Sequence, residues 1–399
     1  MRTGGAGVLQ RSVRSLYLHV PFCSHKCHYC DFYSLVDKQD RQQAFTDRLI
    51  RELHGLSDPA QGPALRTIFV GGGTPSLLRL DLWRRLIDAL DDCFDLSEIR
   101  RGEGEFTVEC NPESVSPELL GLLRAGGVDR ISMGAQSFHR AHLKTLERQH
   151  DPATVGAAIR MARDEGFRRL SVDLIFGIPG QSLEDWRRDL DSALALETEH
   201  LSCYNLTYEQ GTAMTARLQR GEFAPADEDV EVEMYEFTER HLASAGLLRY
   251  EVSNYAKPGC ESRHNLSYWR QEEWLAAGPS ASGHVAGWRW KNVPRLDDYL
   301  RESSDGLPDV VDVEPPDASR ALRERIWTGL RLREGLDSDA TLAEVRAISV
   351  RASERLAAVV ATNRASGMLT DADGRWALTD RGMLIADGIV VDFMAALDD

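Results

Sequence analysis

The chain has 399 residues, 42% hydrophobic and 28% charged, which is enough apolar material for a large core and rules out a disordered or fibrous chain. Lys and Arg total 47 against 63 Asp and Glu, and the net charge of −16 excludes the basic footprint of general nucleic-acid or anionic-membrane binders. Seven cysteines are too few for a secreted disulfide scaffold, and three of them fall within eight residues.

Residues 1–15 contain Arg2, Arg11 and Arg14 but no apolar stretch of signal-peptide length, so they read as a flexible leader on a protein of the reducing cytoplasm. No run of eighteen apolar residues follows, and no stable membrane insertion is expected. The first strand pattern, Leu16–Pro21, opens onto Cys23-x3-Cys27-x2-Cys30. Three thiolates on one loop suit three corners of a cubane cluster and leave the fourth iron open. A zinc site is the alternative, with His25 or His28 completing four ligands.

Further strand patterns follow at Thr67–Val70, Phe106–Glu109, Arg130–Gly134, Leu170–Phe176 and Leu201–Leu206. Between them, Phe45, Leu49, Leu53 and Leu56 share one helical face, as do Leu82, Leu86 and Leu90, and Trp186, Leu190 and Leu194. Six strand–helix units predict an α/β fold, a partial (β/α)6 parallel barrel over residues 16–208 with its chemistry at the carboxyl ends of the strands. Polar residues stand near those ends: Glu109 on the third strand, Gln136 after the fourth, Asp173 on the fifth. After the second strand, Gly71-Gly72-Gly73-Thr74-Pro75 lets the backbone approach a ligand and is expected to offer unblocked amides.

Residues 209–316 break the rhythm and read as an extension. They hold an acidic stretch, Asp227–Glu239, expected to be a solvated helix face, then His264-Asn265-x-x-Tyr268-Trp269, then a Pro- and Asp-rich run at Asp309–Asp317 expected to be a linker. From 317 to 399, Leu322, Ile326 and Leu330 begin a helical region, and Trp376 and Leu378 follow the Asp373–Gly374 turn as one arm of a hairpin, giving a small C-terminal helical, winged-helix-like domain. Its 11 Arg, no Lys and 14 acids argue against a DNA-binding role. Cys93, Cys110, Cys203 and Cys260 are dispersed and read as packing residues.

The cysteine spacing, with Tyr29 before the third cysteine, resembles the radical S-adenosylmethionine (SAM) superfamily. Tyr17-x-His19-x-Pro21-Phe22-Cys23 resembles its oxygen-independent coproporphyrinogen III oxidase-like family. That resemblance implies a [4Fe–4S] cluster on Cys23, Cys27 and Cys30 whose open iron binds SAM. It also implies reduction of the cluster and homolysis of SAM to methionine and a 5′-deoxyadenosyl radical. Tyr17, Tyr29, Gly72, Gly73, Thr74, Glu109, Gln136, Arg148, Asp173 and Thr207 carry over as SAM contacts.

Phe32 departs from the oxidase pattern, which continues Cys-x2-Cys-x-Cys, and only 22 residues precede Cys23. His-Asn-x-x-Tyr-Trp is similar to the signature of the family's haem-chaperone branch. It implies haem binding by His264, Asn265, Tyr268 and Trp269, with His264 as the iron ligand. Implied partners are haem-accepting proteins and an electron donor such as flavodoxin or ferredoxin. The rival activity is the oxidase's own, radical oxidative decarboxylation of coproporphyrinogen III. The branch usually has a Gly-Pro-x-Ala-His loop after this motif. Here the chain reads Gly278-Pro-Ser-Ala-Ser-Gly-His284, the histidine displaced by two positions, so no contact carries over from it.

Overall fold

Alternate residues of the first six strands differ in character, and this decides which face of the sheet meets the helices. The structure, a computed structural model, describes residues 13–57, 62–301 and 306–398. Strands β1 (Ser15–Val20), β2 (Thr67–Gly72), β3 (Glu105–Cys110), β4 (Arg130–Gln136), β5 (Arg169–Phe176) and β6 (His200–Asn205) pair in parallel and in sequential order. Leu16, Leu18, Val20, Ile68, Val70, Val108, Ile131 and Met133 are buried in one core with Phe45, Leu49, Leu53, Leu82, Leu86 and Trp186 from the helices between strands. The intervening residues, among them Tyr17, Glu109, Ser132, Asp173 and Ser202, line a cavity of about 140 Å³ on the other face. Sequential parallel order with helices on one face is the arrangement of an opened (β/α) barrel.

Two edges differ from expectation. β9 (Leu275–Ala277) adds a further parallel strand beside β1, while β8 (Asn254–Ala256) and β7 (Leu248–Arg249) extend the β6 edge antiparallel. Residues 209–316 therefore flank the barrel on both sides rather than hanging from it. The Asp309–Asp317 run is not a bare linker. Its Val310–Glu314 forms β12, paired with β11 (Trp288–Asn292), which pairs in turn with β10 (Ser282–Val285). The acidic stretch lies in the helix Glu228–Ser244, which buries Met234, Thr238 and Leu242; Asp227, Glu228, Asp229 and Glu233 are exposed as expected, whereas Glu231, Glu236 and Glu239 are half-buried and Glu239 pairs with buried Arg249 (3.2 Å). Of the expected leader, residues 1–12 lie outside the described residues; Val13 is buried and Ser15 already belongs to β1.

Behind β9, Glu52 is buried and accepts hydrogen bonds from Tyr299 Oη (2.5 Å), Asn292 Nδ2 (2.7 Å) and Gly278 N (2.9 Å), tying the helix Gln42–Leu56 to the added strands. The C-terminal residues form helices Ala318–Gly329, Ser338–Ile348 and Val350–Ala365. A hairpin of β14 (Leu369–Ala372) and β15 (Arg375–Leu378) follows, joined by β13 (Leu336–Asp337), and the helix Ala386–Leu397 closes the chain. The helical face that begins at Leu322 does pack inward. Leu322, Ile326, Leu356, Trp376 and Phe393 make a second core, the winged-helix-like arrangement expected.

Candidate cluster and cofactor site

β1 runs straight into the cysteine loop. Cys23 N donates to the Leu35 carbonyl (3.0 Å) and Leu35 N to the Pro21 carbonyl (2.8 Å), closing the loop at its base. Its far side is pinned by His28 N on the Leu146 carbonyl (3.4 Å) and Met214 N on the His28 carbonyl (2.8 Å), while Tyr29 packs against a cluster of Leu146, Ile175 and Met214. All three thiols are half-exposed. The Thr74 hydroxyl lies 3.6 Å from Cys23 Sγ and the Arg148 guanidinium 3.7 Å from Cys27 Sγ, both placed to donate to sulfur. Burial pushes the Cys23 thiol above its ordinary value and the Cys30 thiol up to about 11. Cys93, Cys110 and Cys203 are buried and Cys260 half-buried.

The glycine loop works differently from the expectation that its amides are free. Gly72 N donates to Glu109 Oε2 (3.2 Å), Gly73 N to the Val20 carbonyl (2.8 Å) and Thr74 N to the Phe22 carbonyl (2.7 Å). The glycines serve close packing instead. A Cβ on Gly72, whose φ is +103°, meets the His19 ring at 2.5 Å, and one on Gly73 meets the Phe22 carbonyl oxygen at 2.7 Å. The loop is thus stitched to the backbone that leads into the cysteines.

Arg148 gathers the neighbouring strand ends. Its Nη2 donates to the Gly134 carbonyl (2.7 Å) and to Asn111 Oδ1 (3.0 Å), and Asn111 Nδ2 donates to Thr74 Oγ1 (3.2 Å). Its Nε is buried without a hydrogen-bond partner among the described residues. Gln136 closes β4 at φ +65°, a left-handed conformation held against the bulge at the strand's end, with its side chain over Gly134. Glu109 and Asp173 face the cavity. Ser202 Oγ (2.7 Å) and Ser132 Oγ (3.1 Å) donate to Asp173; burial and the Asp173 carboxylate push Glu109 up to about 8. Burial raises Asp173 as well. Tyr17 joins them, its hydroxyl 3.0 Å from His19 Nδ1. Thr207 stands apart, exposed two residues beyond the end of β6.

These residues fit the cofactors that the cysteine pattern implies. A four-iron cluster takes one thiolate at each of three separate irons. Among the described residues no three His, Cys, Asp or Glu side chains are grouped as for a single ion. Two buried carboxylates above their ordinary pKa and an unpartnered guanidinium Nε suit a ligand carrying both an ammonium and a carboxylate.

His264-Asn-x-x-Tyr-Trp is helical. It forms the helix Arg263–Trp269, seated under the amino-terminal ends of β2 and β3. Buried Glu105, the first residue of β3, accepts from Ser262 Oγ, Arg263 N and His264 N (3.0–3.1 Å) and pairs with Arg169 at 2.7 Å. His264 is 1% exposed and both ring nitrogens are engaged: Nδ1 with Thr67 Oγ1 (2.8 Å), Nε2 with the Tyr268 hydroxyl (2.9 Å). Burial pulls its pKa down to about 4. His264, Asn265 and Tyr268 line the same cavity as Glu109 and Asp173, from the opposite end; Trp269 does not. The expected open imidazole is therefore absent from this conformation, and a haem iron would have to displace one of these bonds.

Sequence reasoning missed His19, Asn111 and Glu105. Only the fold shows His19 between the Tyr17 hydroxyl and the Tyr33 carbonyl, and Asn111 joining Thr74 to Arg148; Glu105 is far earlier in the chain than the helix it caps.

Glu105 also fixes an acid sensitivity. Burial alone would raise its pKa, but Arg130, Arg169 and the helix amides outweigh this and hold it below its ordinary value. Its stabilisation is full above the unfolded-state pKa and is lost as pH falls through the folded-state value. Glu105→Gln should cost about 2–4 kcal/mol near neutral pH, and urea midpoints measured from pH 6 downward should fall less steeply than in the wild type.

A parallel barrel with three cysteines on the first strand's loop, set against a glycine loop and buried carboxylates, defines a radical SAM domain. Residues 17–193 match the radical SAM superfamily model and residues 317–385 the HemN C-terminal domain model. The chain is 39% identical to "Heme chaperone HemW" of Mycobacterium tuberculosis over 94% of this chain and 93% of that protein, and 32% identical to the Bacillus subtilis protein of the same name over 96% and 100%. It belongs to the HemW family. In fold it is similar to coproporphyrinogen III oxidase HemN of Escherichia coli, with a TM-score of 0.81 at 22% identity over 97% of this chain and 92% of that one.

Proposed function

We propose that the protein is a haem chaperone of the radical SAM type. It carries a [4Fe–4S] cluster on Cys23, Cys27 and Cys30, binds exchangeable SAM over the strand ends and transfers haem to acceptor proteins of the cytoplasm. The observation that supports this most is the seating of the three thiols at the carboxyl end of β1, against Thr74 and Arg148. The cluster, when bound, supplies one-electron reduction of SAM, with flavodoxin or ferredoxin as donor. The chain's own residues do the positioning. Thr74 and Arg148 stabilise thiolates at sulfur, Glu109 and Asp173 receive the ammonium end of SAM, and the stitched glycine loop keeps these groups in register. No helix among the described residues is long and apolar enough to cross a membrane.

Phe32 separates this reading from the porphyrinogen oxidase. It stands where the oxidase pattern has a fourth cysteine and is 63% exposed. Coproporphyrinogen III incubated anaerobically with the reconstituted protein, SAM and reductant should yield no carbon dioxide above a cluster-free control. Stoichiometric release with protoporphyrinogen formation would assign the oxidase activity instead.

A further inference from the structure

β4 and β5 each begin with an arginine, and the parallel register sets Arg130 opposite Arg169. Only one of the two is satisfied within the chain. Arg169 donates to Glu105 (2.7 Å) and Asp129 (3.0 Å). Arg130 is 3% exposed and lines the barrel cavity, and its guanidinium makes no hydrogen bond or ion pair among the described residues. Taking a cation out of water without a partner is costly, so a buried guanidinium left open points to a group that the folded chain itself does not supply.

The surrounding carboxylates are not that group. The Arg130 charge acts on Glu105, Glu109 and Asp173, yet none of the three pairs with it and each is engaged elsewhere. Glu105 accepts from Arg169, Ser262 and two helix amides. Glu109 accepts from Gly72 N and, raised to about 8, is mostly protonated at neutral pH. Asp173 accepts from Ser132 and Ser202, and it stands four residues further along β5 than Arg169, about 13 Å of strand.

The rest of the inner end suits a small amphipathic anion. Thr107, beside Arg130 in the register of β3, has its hydroxyl buried without a partner among the described residues. At the same level on β2, two strands and about 10 Å from Arg130, the Phe69 ring lines the cavity. The cavity of about 140 Å³ has room for about four or five waters, which admits a short-chain acid and excludes a macrocycle. Tyr204 lines it and is 43% exposed, so the way in lies at the carboxyl end of β6.

We propose that the inner end of the barrel cavity binds a short-chain carboxylate, its two oxygens on the Arg130 guanidinium and its hydrocarbon chain against Phe69. The planar fork of N–H donors on an arginine matches the two oxygens of a carboxylate, which a neutral amide cannot imitate. The ligand lies beneath the strand ends assigned to SAM, and the inference stands whether or not haem is the cargo.

Butanoate titrated into the purified full-length chain and followed by saturation-transfer NMR, with butanamide as the neutral control, tests it. The wild type should bind the acid saturably and the amide at least 10-fold more weakly. Arg130→Gln should lose that preference, and Arg130→Lys, which keeps the charge without the fork, should bind butanoate several-fold more weakly than the wild type. A purely structural arginine would change the urea midpoint of the variants but not its response to ligand; butanoate should raise the wild-type midpoint and leave that of Arg130→Gln unmoved. Far-UV circular dichroism checks each fold. Where Arg130→Gln is unfolded, Arg130→Lys decides, and an unchanged affinity in it overturns the proposal. A wild type that binds butanoate no better than butanamide, or not at all, would do the same, as would undiminished binding by folded Arg130→Gln; Arg130 would then be only a hydrated counter-charge to the buried acids.

Discussion

Replacing Glu109 with Gln should make the apoprotein more stable at pH 8 and at the same time cripple SAM binding. The carboxyl group titrates near 8 in the folded chain, raised by burial and by Asp173, whereas in the unfolded chain it ionises in the ordinary carboxylate range. A group raised in this way favours the fold below the unfolded-state pKa, and that advantage is lost as pH rises through the folded-state value. At pH 8 the native state therefore carries a cost on the order of 2–4 kcal/mol that a neutral amide removes. Urea midpoints of the wild type should fall between pH 5 and pH 8, and those of Glu109→Gln should stay flatter. Loss of a charge-assisted contact to an ammonium should weaken SAM about 10- to 100-fold, readable by equilibrium dialysis of the reconstituted proteins. A variant that is both no more stable and no weaker for SAM would remove Glu109 from the site.

The second large effect concerns cluster assembly. Because burial holds the Cys23 and Cys30 thiols protonated at neutral pH, three iron–sulfur bonds can form only with release of protons. Anaerobic reconstitution of the wild type should accelerate as pH is raised from about 7 to about 9, with the broad absorption near 400 nm as readout. Cys30→Ser should abolish the absorption throughout that range. Retention of the absorption in Cys30→Ser would mean that another residue serves as ligand.

The barrel was legible because its six strands are runs of Leu, Ile, Val and Phe whose outward members all reach one core. Their inward residues are what made the site, and Glu109, Gln136 and Asp173 could be picked out at strand ends. β9 was not legible: Leu275–Ala277 is three residues long and becomes a strand only by pairing with β1. β12 was hidden by the acids that alternate with its valines. The glycine loop was read correctly as a place of close approach and incorrectly as a donor of free amides, since the partners of those amides lie on β1, the cysteine loop and β3. His264 was the largest gap. Nothing local signals that its ring will be buried, because Thr67 and Glu105, which hold it, come from strands far earlier in the chain.

Haem transfer itself is the most direct test. The reconstituted, haem-loaded protein, with SAM and reductant, should deliver haem to a haem-free b-type cytochrome, followed by appearance of the acceptor's reduced spectrum. The Cys23→Ala, Cys27→Ala, Cys30→Ala triple variant should transfer at least 10-fold more slowly. An acceptor that stays haem-free in the presence of the intact protein, or fills at the same rate with the triple variant, would contradict a radical SAM-type haem chaperone.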